Sequence, residues 1–407
     1  MTRPGALASR LGFVRAVGAA ALVAACSSSH SPTGGTDDSA TSTGGAAPDQ
    51  TGSGGALGQA GETEAPPIIH VDGGTGSPKG CNDIDVGFEK LIPTILLLVD
   101  ESGSMSDNKY PAGGAQSRWR VLHDALLADG GLVQTLAADV RFGFIGYTGD
   151  GTAATCPLLE STDIFEASPD ASALSTLRGV YPEERPSLPY SGDTPTGAAF
   201  RAATKVLTAY NEPGPKHILL ATDGDPDTCA KPNPQCGQEE AVSAAEDAYA
   251  AGIGAFVIGI SDDVASWHLQ QMANAGAGLD VAPPDPNFYN MCPKDPTVTP
   301  KYAAAAPAQN AKFYKPADGA ELAQVLSSIV NSARTCTFTL HGKVTAGKES
   351  QGSVRLDGVA IDYMAPDGWH LLDAQTLEVL GPSCDKIKTT SKLLQVSFPC
   401  DSITILR

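Results

Sequence analysis

Thr94-Ile95-Leu96-Leu97-Leu98-Val99 runs directly into Asp100-Glu101-Ser102-Gly103-Ser104. A run this apolar and this short reads as a strand buried on both faces, at the centre of a parallel sheet. Such a strand presents its C-terminal loop at the sheet edge where open α/β folds bind ligands. The loop brings one carboxylate, Asp100, and two hydroxyls, Ser102 and Ser104, on alternate residues. These hard oxygen donors suit a small dication such as Mg²⁺. The pattern points to binding rather than turnover.

Two later stretches belong with it. Gly192-Asp193-Thr194-Pro195-Thr196-Gly197, read alone, is a helix start with Pro near the first helical position. Ile218-Leu219-Leu220-Ala221-Thr222-Asp223-Gly224 is a second apolar strand ending in a turn with Asp and Gly in favoured places. Each follows a strand or opens a helix in a βα alternation, and together they resemble the von Willebrand factor type A (VWA) domain family. In that family a D-x-S-x-S loop, a Thr loop and an Asp loop form a metal-ion-dependent adhesion site. The resemblance covers roughly residues 81–335. It implies that Ser102, Ser104 and Thr194 are direct metal ligands and that Asp100 and Asp223 hold metal-bound waters. It also implies Mg²⁺, Mn²⁺ or Ca²⁺ at the site, with the sixth position open to an Asp or Glu of a protein partner. The fold so implied is α/β, a doubly wound, mostly parallel sheet flanked by helices in a Rossmann-like arrangement.

The rest of the chain agrees with such a sheet. Val140–Tyr147 and Ile253–Ile260 read as strands, while Ser117 can cap a helix carrying Leu122, Ala125 and Leu126. Thr196 opens a helix with Ala199, Phe200, Ala203 and Leu207 on one side. Further helices are expected over Glu239–Ala251, around Trp267–Ala273 and through Leu322, Val325, Leu326 and Ile329. After Cys336 the period changes to short alternating strands at 337–340, 353–356, 377–380 and 394–398. Residues 336–407 are therefore expected to form a β-rich, disulfide-containing subdomain too short of core to stand without a bridge.

The chain has 407 residues and a formal net charge of -19, which makes phosphate backbones poor partners. Arg3, Arg10 and Arg15 precede a short apolar stretch, Val17–Ala25, too brief to span a bilayer. It ends in Leu22-Val23-Ala24-Ala25-Cys26, which resembles a bacterial lipobox. That resemblance makes residues 1–25 a lipoprotein signal peptide and Cys26 the acylated N-terminus. Several acyl chains give stable anchoring where one is marginal. Ser27 after the cysteine implies sorting to the outer membrane. Residues 26–80 then form a Ser/Thr/Gly-rich tether with almost no large apolar side chains, which cannot offset its ordering entropy and stays flexible.

Setting Cys26 aside leaves eight cysteines, an even number that in an exported chain argues for disulfides. Eight cysteines allow about 105 connectivities. The pairings expected are Cys229–Cys236 across a Pro-rich loop, Cys81–Cys336 bracketing the large domain, Cys384–Cys400 in the tail, and Cys156–Cys292 by elimination.

The function expected is a non-enzymatic cell-surface lipoprotein that binds an acidic protein ligand through its metal. A structural envelope protein whose metal only stabilises loops uses the same ligands. A serine hydrolase is the third reading, since Ser106-x-x-Lys109 and Ser106-Asp107-Asn108 match motifs of penicillin-binding enzymes. Those motifs overlap in one loop and no K-T-G follows. Asp223-Gly224-Asp225-Pro226-Asp227 begins like an EF-hand, but Thr228 and Pro234 stand where Gly and Glu are needed. It reads better as the rim of the metal site.

Overall fold

The computed structural model describes residues 83–168, 172–185, 192–231, 235–389 and 393–406. The signal peptide, Cys26, the tether and Cys81 lie outside the described residues.

Strands β1 (Asp83–Asp85), β2 (Phe88–Lys90), β3 (Thr94–Asp100), β4 (Arg141–Thr148), β5 (Leu158–Ser161), β6 (Lys216–Thr222) and β7 (Ile253–Gly259) come first. Five of them form one sheet in the order β5-β4-β3-β6-β7. β3 lies at its centre, parallel to β4 and β6, and β6 is parallel to β7. Only β5, at the edge, runs antiparallel. All of β3 is buried, as its unbroken apolar run requires.

Among the helices are α1 (Gly103–Asp107), α2 (Arg118–Leu127), α3 (Leu132–Leu136), α4 (Ser172–Val180) and α5 (Thr196–Ala209). They continue with α6 (Gln238–Ala250), α7 (Ser266–Gly276), α8 (Phe288–Met291) and α9 (Gly319–Ala333). The period of two in β3 divides its side chains between two cores. Ile95, Leu97 and Val99 pack with Trp119, Leu122 and Leu126 of α2 and Leu322, Leu326 and Ile329 of α9. Leu96 and Leu98 pack with Ala199, Phe200 and Leu207 of α5, Val242 of α6, and Leu269 and Met272 of α7. Full burial of each Leu- or Ile-sized side chain contributes about 1.5–3 kcal/mol, so helices on both faces anchor the central strand. This is the doubly wound α/β fold expected.

The tail contains β8 (Thr337–Leu340), β9 (Gly342–Val344), β10 (Ser353–Leu356), β11 (Val359–Tyr363), β12 (Gly368–Asp373), β13 (Thr376–Val379), β14 (Leu394–Pro399), β15 (Ile403–Ile405) and helix α10 (Gly381–Thr389). Its main sheet has the order β1-β14-β10-β11-β12-β13-β8-β2. β1 and β2 occupy its two ends, yet only Val86 and Gly87 separate them. Val86 donates its N–H to Val396 O at 2.8 Å, and His341 donates to Gly87 O at 2.8 Å. One segment thus bonds to both sides, and the sheet closes into a barrel. Trp369, Phe398, Leu377, Phe338 and Val86 fill it.

This corrects the expected boundary at residue 81. Residues 83–90 belong to the barrel, and the α/β domain enters between two strands, β2 and β8, that pair with each other. Strands of three residues are too short to show a period, so this segment gave no sequence signal. Asp139 holds the junction, taking Lys90 at 3.1 Å and Arg334 at 2.8 Å.

None of the four expected disulfide pairings occurs. The bridges are Cys156–Cys229, Cys236–Cys292 and Cys336–Cys384, and Cys400 is also disulfide-bonded. Cys229 and Cys236 are close in sequence but face different neighbours. Cys229 meets the loop between β4 and β5, and Cys236, just before α6, meets the end of α8. Cys336 and Cys384 join β8 to α10, which excludes both Cys81–Cys336 and Cys384–Cys400. The bridges span separations of 73, 56 and 48 residues, each worth roughly 4 kcal/mol in the loop-entropy model.

Candidate metal site

The C-terminal ends of β3 and β6 lie side by side, which brings the first and third loops together. Asp100 ends β3 with no exposure. Its Oδ1 accepts from the Ser102 N–H at 2.8 Å, and its Oδ2 accepts from the Thr222 hydroxyl at 2.7 Å. Both oxygens are therefore fixed by the backbone turn and by the neighbouring strand. Asp223, also fully buried, turns Oδ1 toward the first loop. Ser104 Oγ donates to it at 2.8 Å and Ser102 Oγ at 3.4 Å, and the two hydroxyls are 3.1 Å apart.

The second loop closes against both. Gly103 N–H donates to Gly192 O at 3.4 Å, and Gly149 and Asp193 exchange backbone hydrogen bonds at 3.0 and 3.1 Å. Gly192 has φ +71°, and a Cβ there would stand 2.8 Å from Thr148 Oγ1 and 3.2 Å from Gly103 N. Only glycine meets both demands. Thr194, 3 % exposed, is pinned through its backbone: its N–H donates to Asp227 Oδ2 at 3.0 Å, and its carbonyl accepts from Asp227 N–H at 2.8 Å. Pro195 and Thr196 then open α5, and the Thr196 and Tyr147 hydroxyls are 3.1 Å apart. Asp227 is one of the two acids expected on the rim as modulators of the site, and the structure shows it holding Thr194 in place.

The electrostatics follow from burying two carboxylates together. Burial, and then the neighbouring charge of Asp223, push Asp100 up to about 7. Burial, with Asp193 nearby, pushes Asp227 up to about 6 despite the Thr194 N–H. Burial and Glu160 likewise push Glu101 up to about 7. A cation among these oxygens would relieve the repulsion between them. Among the described residues no group of three or more His, Cys, Asp or Glu could hold a metal. A site at this edge would therefore have to draw on hydroxyls. Ser102 and Ser104 beside Asp223, with Asp100 behind them, form a donor set that fits a hard dication.

Two charged residues have no counterpart in the sequence reading. Arg118, at the start of α2, places Nη1 at 2.6 Å from Asp223 Oδ2 and Nη2 at 2.5 Å from Asp263 Oδ2. Ser261 Oγ donates to the Asp223 carbonyl at 2.5 Å and accepts from the Asp263 N–H at 3.0 Å. Arg118 lies 105 residues from Asp223 in sequence, and no motif joins them. Asp225, the other rim acid, accepts from the Ala265 N–H at 3.0 Å at the start of α7.

Ser106 and Asp107 of the hydrolase motif lie in α1, and Asn108 caps it. Ser106 Oγ donates to Gly103 O at 3.0 Å and to Asp107 at 3.4 Å, the bonding of an ordinary turn. Ser106 and Lys109 line a cavity of about 360 Å³ with Arg120, Glu184 and Arg185.

Residues 94–291 match the model of the von Willebrand factor type A domain. Comparison with curated proteins gives no significant match. Among solved structures the chain is similar to the pilus adhesin SpaC from Lactobacillus rhamnosus GG, at 15 % identity and a TM-score of 0.40. That match covers 81 % of this chain and 42 % of the adhesin, so the chain spans less than half of its length. It is similar to the manganese-loaded TRAP protein of Plasmodium vivax at 19 % identity and a TM-score of 0.35, covering 64 % of this chain and 81 % of that one. A third is proximal thread matrix protein 1 from the mussel byssus, with a zinc-occupied adhesion motif. There the identity is 16 % and the TM-score 0.36, with 61 % and 50 % of the chains covered.

Proposed function

We propose that this protein is a non-enzymatic, lipid-anchored surface protein that binds a protein partner through a divalent metal. The observation that carries the reading is the convergence of Ser102, Ser104 and Asp223 in front of the buried Asp100. Ser102, Ser104 and Thr194 would hold Mg²⁺, or Mn²⁺ or Ca²⁺, directly, and Asp100 and Asp223 would hold its waters. The bound ion supplies an electrophilic position for an Asp or Glu of the partner, a charge-assisted contact. The chain's own residues do the remainder. The Asp100 and Thr222 pair keeps the first loop against β6, and Asp227 holds Thr194 at its depth.

The acidic balance of the chain supports a metal bridge, since an acidic partner would otherwise be repelled. No helix among the described residues is long and apolar enough to cross a membrane. Attachment would rest on acylated Cys26 and the tether of residues 26–80, placing the protein in the cell envelope, at the outer membrane.

The test is capture of envelope proteins on the immobilised chain in Mg²⁺, in EDTA, and with Thr194→Ala. Binding that is lost in EDTA and in the variant, with melting little changed, supports adhesion. Binding that survives chelation refutes it. A chain that loses stability in EDTA and captures nothing in Mg²⁺ is a scaffold instead.

A further inference from the structure

Asp223 stands between two different neighbours. Its Oδ1 faces the Ser104 and Ser102 hydroxyls, and its Oδ2 faces the Arg118 guanidinium at 2.6 Å. The Arg118 side chain is 9 % exposed and Asp223 is not exposed at all, so water screens this pair poorly. Arg118 is also held from behind. Asp263, on the loop after β7, takes its second nitrogen at 2.5 Å, and Ser261 ties that loop to the Asp223 carbonyl. The α2 backbone fixes the base of the side chain, because Ser117 caps the helix and the Arg118 N–H donates to Asn108 O at 3.1 Å. A guanidinium cannot lose its charge in a protein. The positive charge behind Asp223 is therefore permanent and built into the fold.

We propose, on the reading that this edge binds a dication, that Arg118 sets the charge balance of the site. It withdraws part of the Asp223 charge, which weakens the hold on the metal and leaves the bound metal more demanding of an outside carboxylate. With Asp100 and Asp223 alone, two negative charges would match a dication. Arg118, shared between Asp223 and Asp263, offsets part of the Asp223 charge, so a dication there is incompletely neutralised by its nearest carboxylate and an acidic ligand meets the remainder. The two consequences have opposite signs, which distinguishes this role from a structural one. A residue that merely shaped the pocket would, on removal, weaken both metal and carboxylate binding.

The experiment uses the full chain with Mn²⁺ alone as the first probe and acetate, a simple carboxylate, as the second, added to the Mn²⁺-loaded protein. Titration calorimetry reads the first affinity and water-proton relaxation the second. Arg118→Met is expected to tighten Mn²⁺ about tenfold, less than the full effect of a nearby unit charge at an effective dielectric of about 20 because Asp263 already offsets part of it. It is expected to weaken acetate by a similar factor, while Arg118→Lys stays near wild type in both. Arg118→Met that is folded and moves both affinities in one direction, or neither, overturns the proposal. Should Arg118→Met fail to fold, Asp263→Asn decides. Freed from Asp263, the guanidinium charge falls wholly on Asp223, so Mn²⁺ is expected to weaken a few-fold, and unchanged or tighter Mn²⁺ overturns the proposal. If neither wild type nor Arg118→Met takes up Mn²⁺, the metal reading itself fails. If wild type binds and the variant is unchanged, only the role of Arg118 fails.

Discussion

In the α/β domain the strands are followed in sequence by the helices that cover them, so each short stretch carries both halves of its own packing. The barrel is built otherwise. Its sheet is closed by β1 and β2, which lie on the far side of the whole α/β domain from β8 to β15. The first arrangement gathers local contacts early, while the second needs a long loop closed before any contact rewards it. The difference explains where the disulfides fall. Cys336–Cys384 staples the small barrel from within, whereas Cys156–Cys229 and Cys236–Cys292 tie down long loops around the α/β domain. Core burial supports the sheet, and covalent constraint supports the parts with less core.

The largest effect that separates the two regions should come from Phe398→Ala, which empties a fully buried position in the barrel. A loss of about 3–5 kcal/mol is expected, read by calorimetry as early melting of the barrel. The α/β domain should keep its Mn²⁺ affinity in this variant. Equal loss of Mn²⁺ binding would mean that the two regions are one cooperative unit. Cys336→Ser with Cys384→Ser should cost about 2–4 kcal/mol in the same transition, and a melting curve identical to wild type would contradict the stapling role.

Acid should act on the α/β domain. Burial holds His217, on β6, and His268, on α7, neutral and down at about 4, below the ordinary 6.5. Their contribution is complete above pH 6.5. It is lost as pH falls toward 4, because the unfolded chain takes up the proton first. At pH 5 each should remove on the order of 2 kcal/mol. Asp100, Glu101 and Asp227, pushed up by burial, gain stability over the same range and oppose the histidines, so the check is the difference between proteins. From pH 7 to 5 His268→Gln should gain on the order of 2 kcal/mol relative to wild type, and an identical pH dependence would discount the burial argument.

The smallest effect expected is that of Ser117→Ala. It removes the hydroxyl that accepts from the Arg120 N–H at 3.1 Å and starts α2, for about 1 kcal/mol. Because α2 carries Arg118, Mn²⁺ affinity should rise slightly as the helix start frays. A fall in affinity would show that the cap shapes the metal loops rather than the charge behind them.

Much of this was legible in the sequence because the signals were local. The run ending in Asp100 is buried along its whole length, and the strands and helices read around Ser117, Val140, Thr196, Ile253 and Leu322 are present. Ser102, Ser104 and Asp223 were expected to converge, and the parallel pairing of β3 with β6 brings them within hydrogen-bond distance. What was not legible depends on distant packing. Arg118 meets Asp223 only because α2 lies beside the ends of β6 and β7, and Asp263 is reached the same way. β1 and β2 are too short to show a period, and their partners lie beyond the α/β domain. Cys229 and Cys236 do not pair because sequence proximity says nothing about which way two Cβ atoms point, and the other pairings rested on bracketing, the tail and elimination rather than on any local signal.

The most direct test is Mn²⁺ binding to the wild-type chain and to Ser102→Ala/Ser104→Ala, followed by electron paramagnetic resonance. One Mn²⁺ per chain in the wild type, with affinity lost in the double variant and the melting temperature nearly kept, is the predicted result. Equal Mn²⁺ uptake by both proteins, or none by the wild type, would contradict a site built from the hydroxyls at the end of β3.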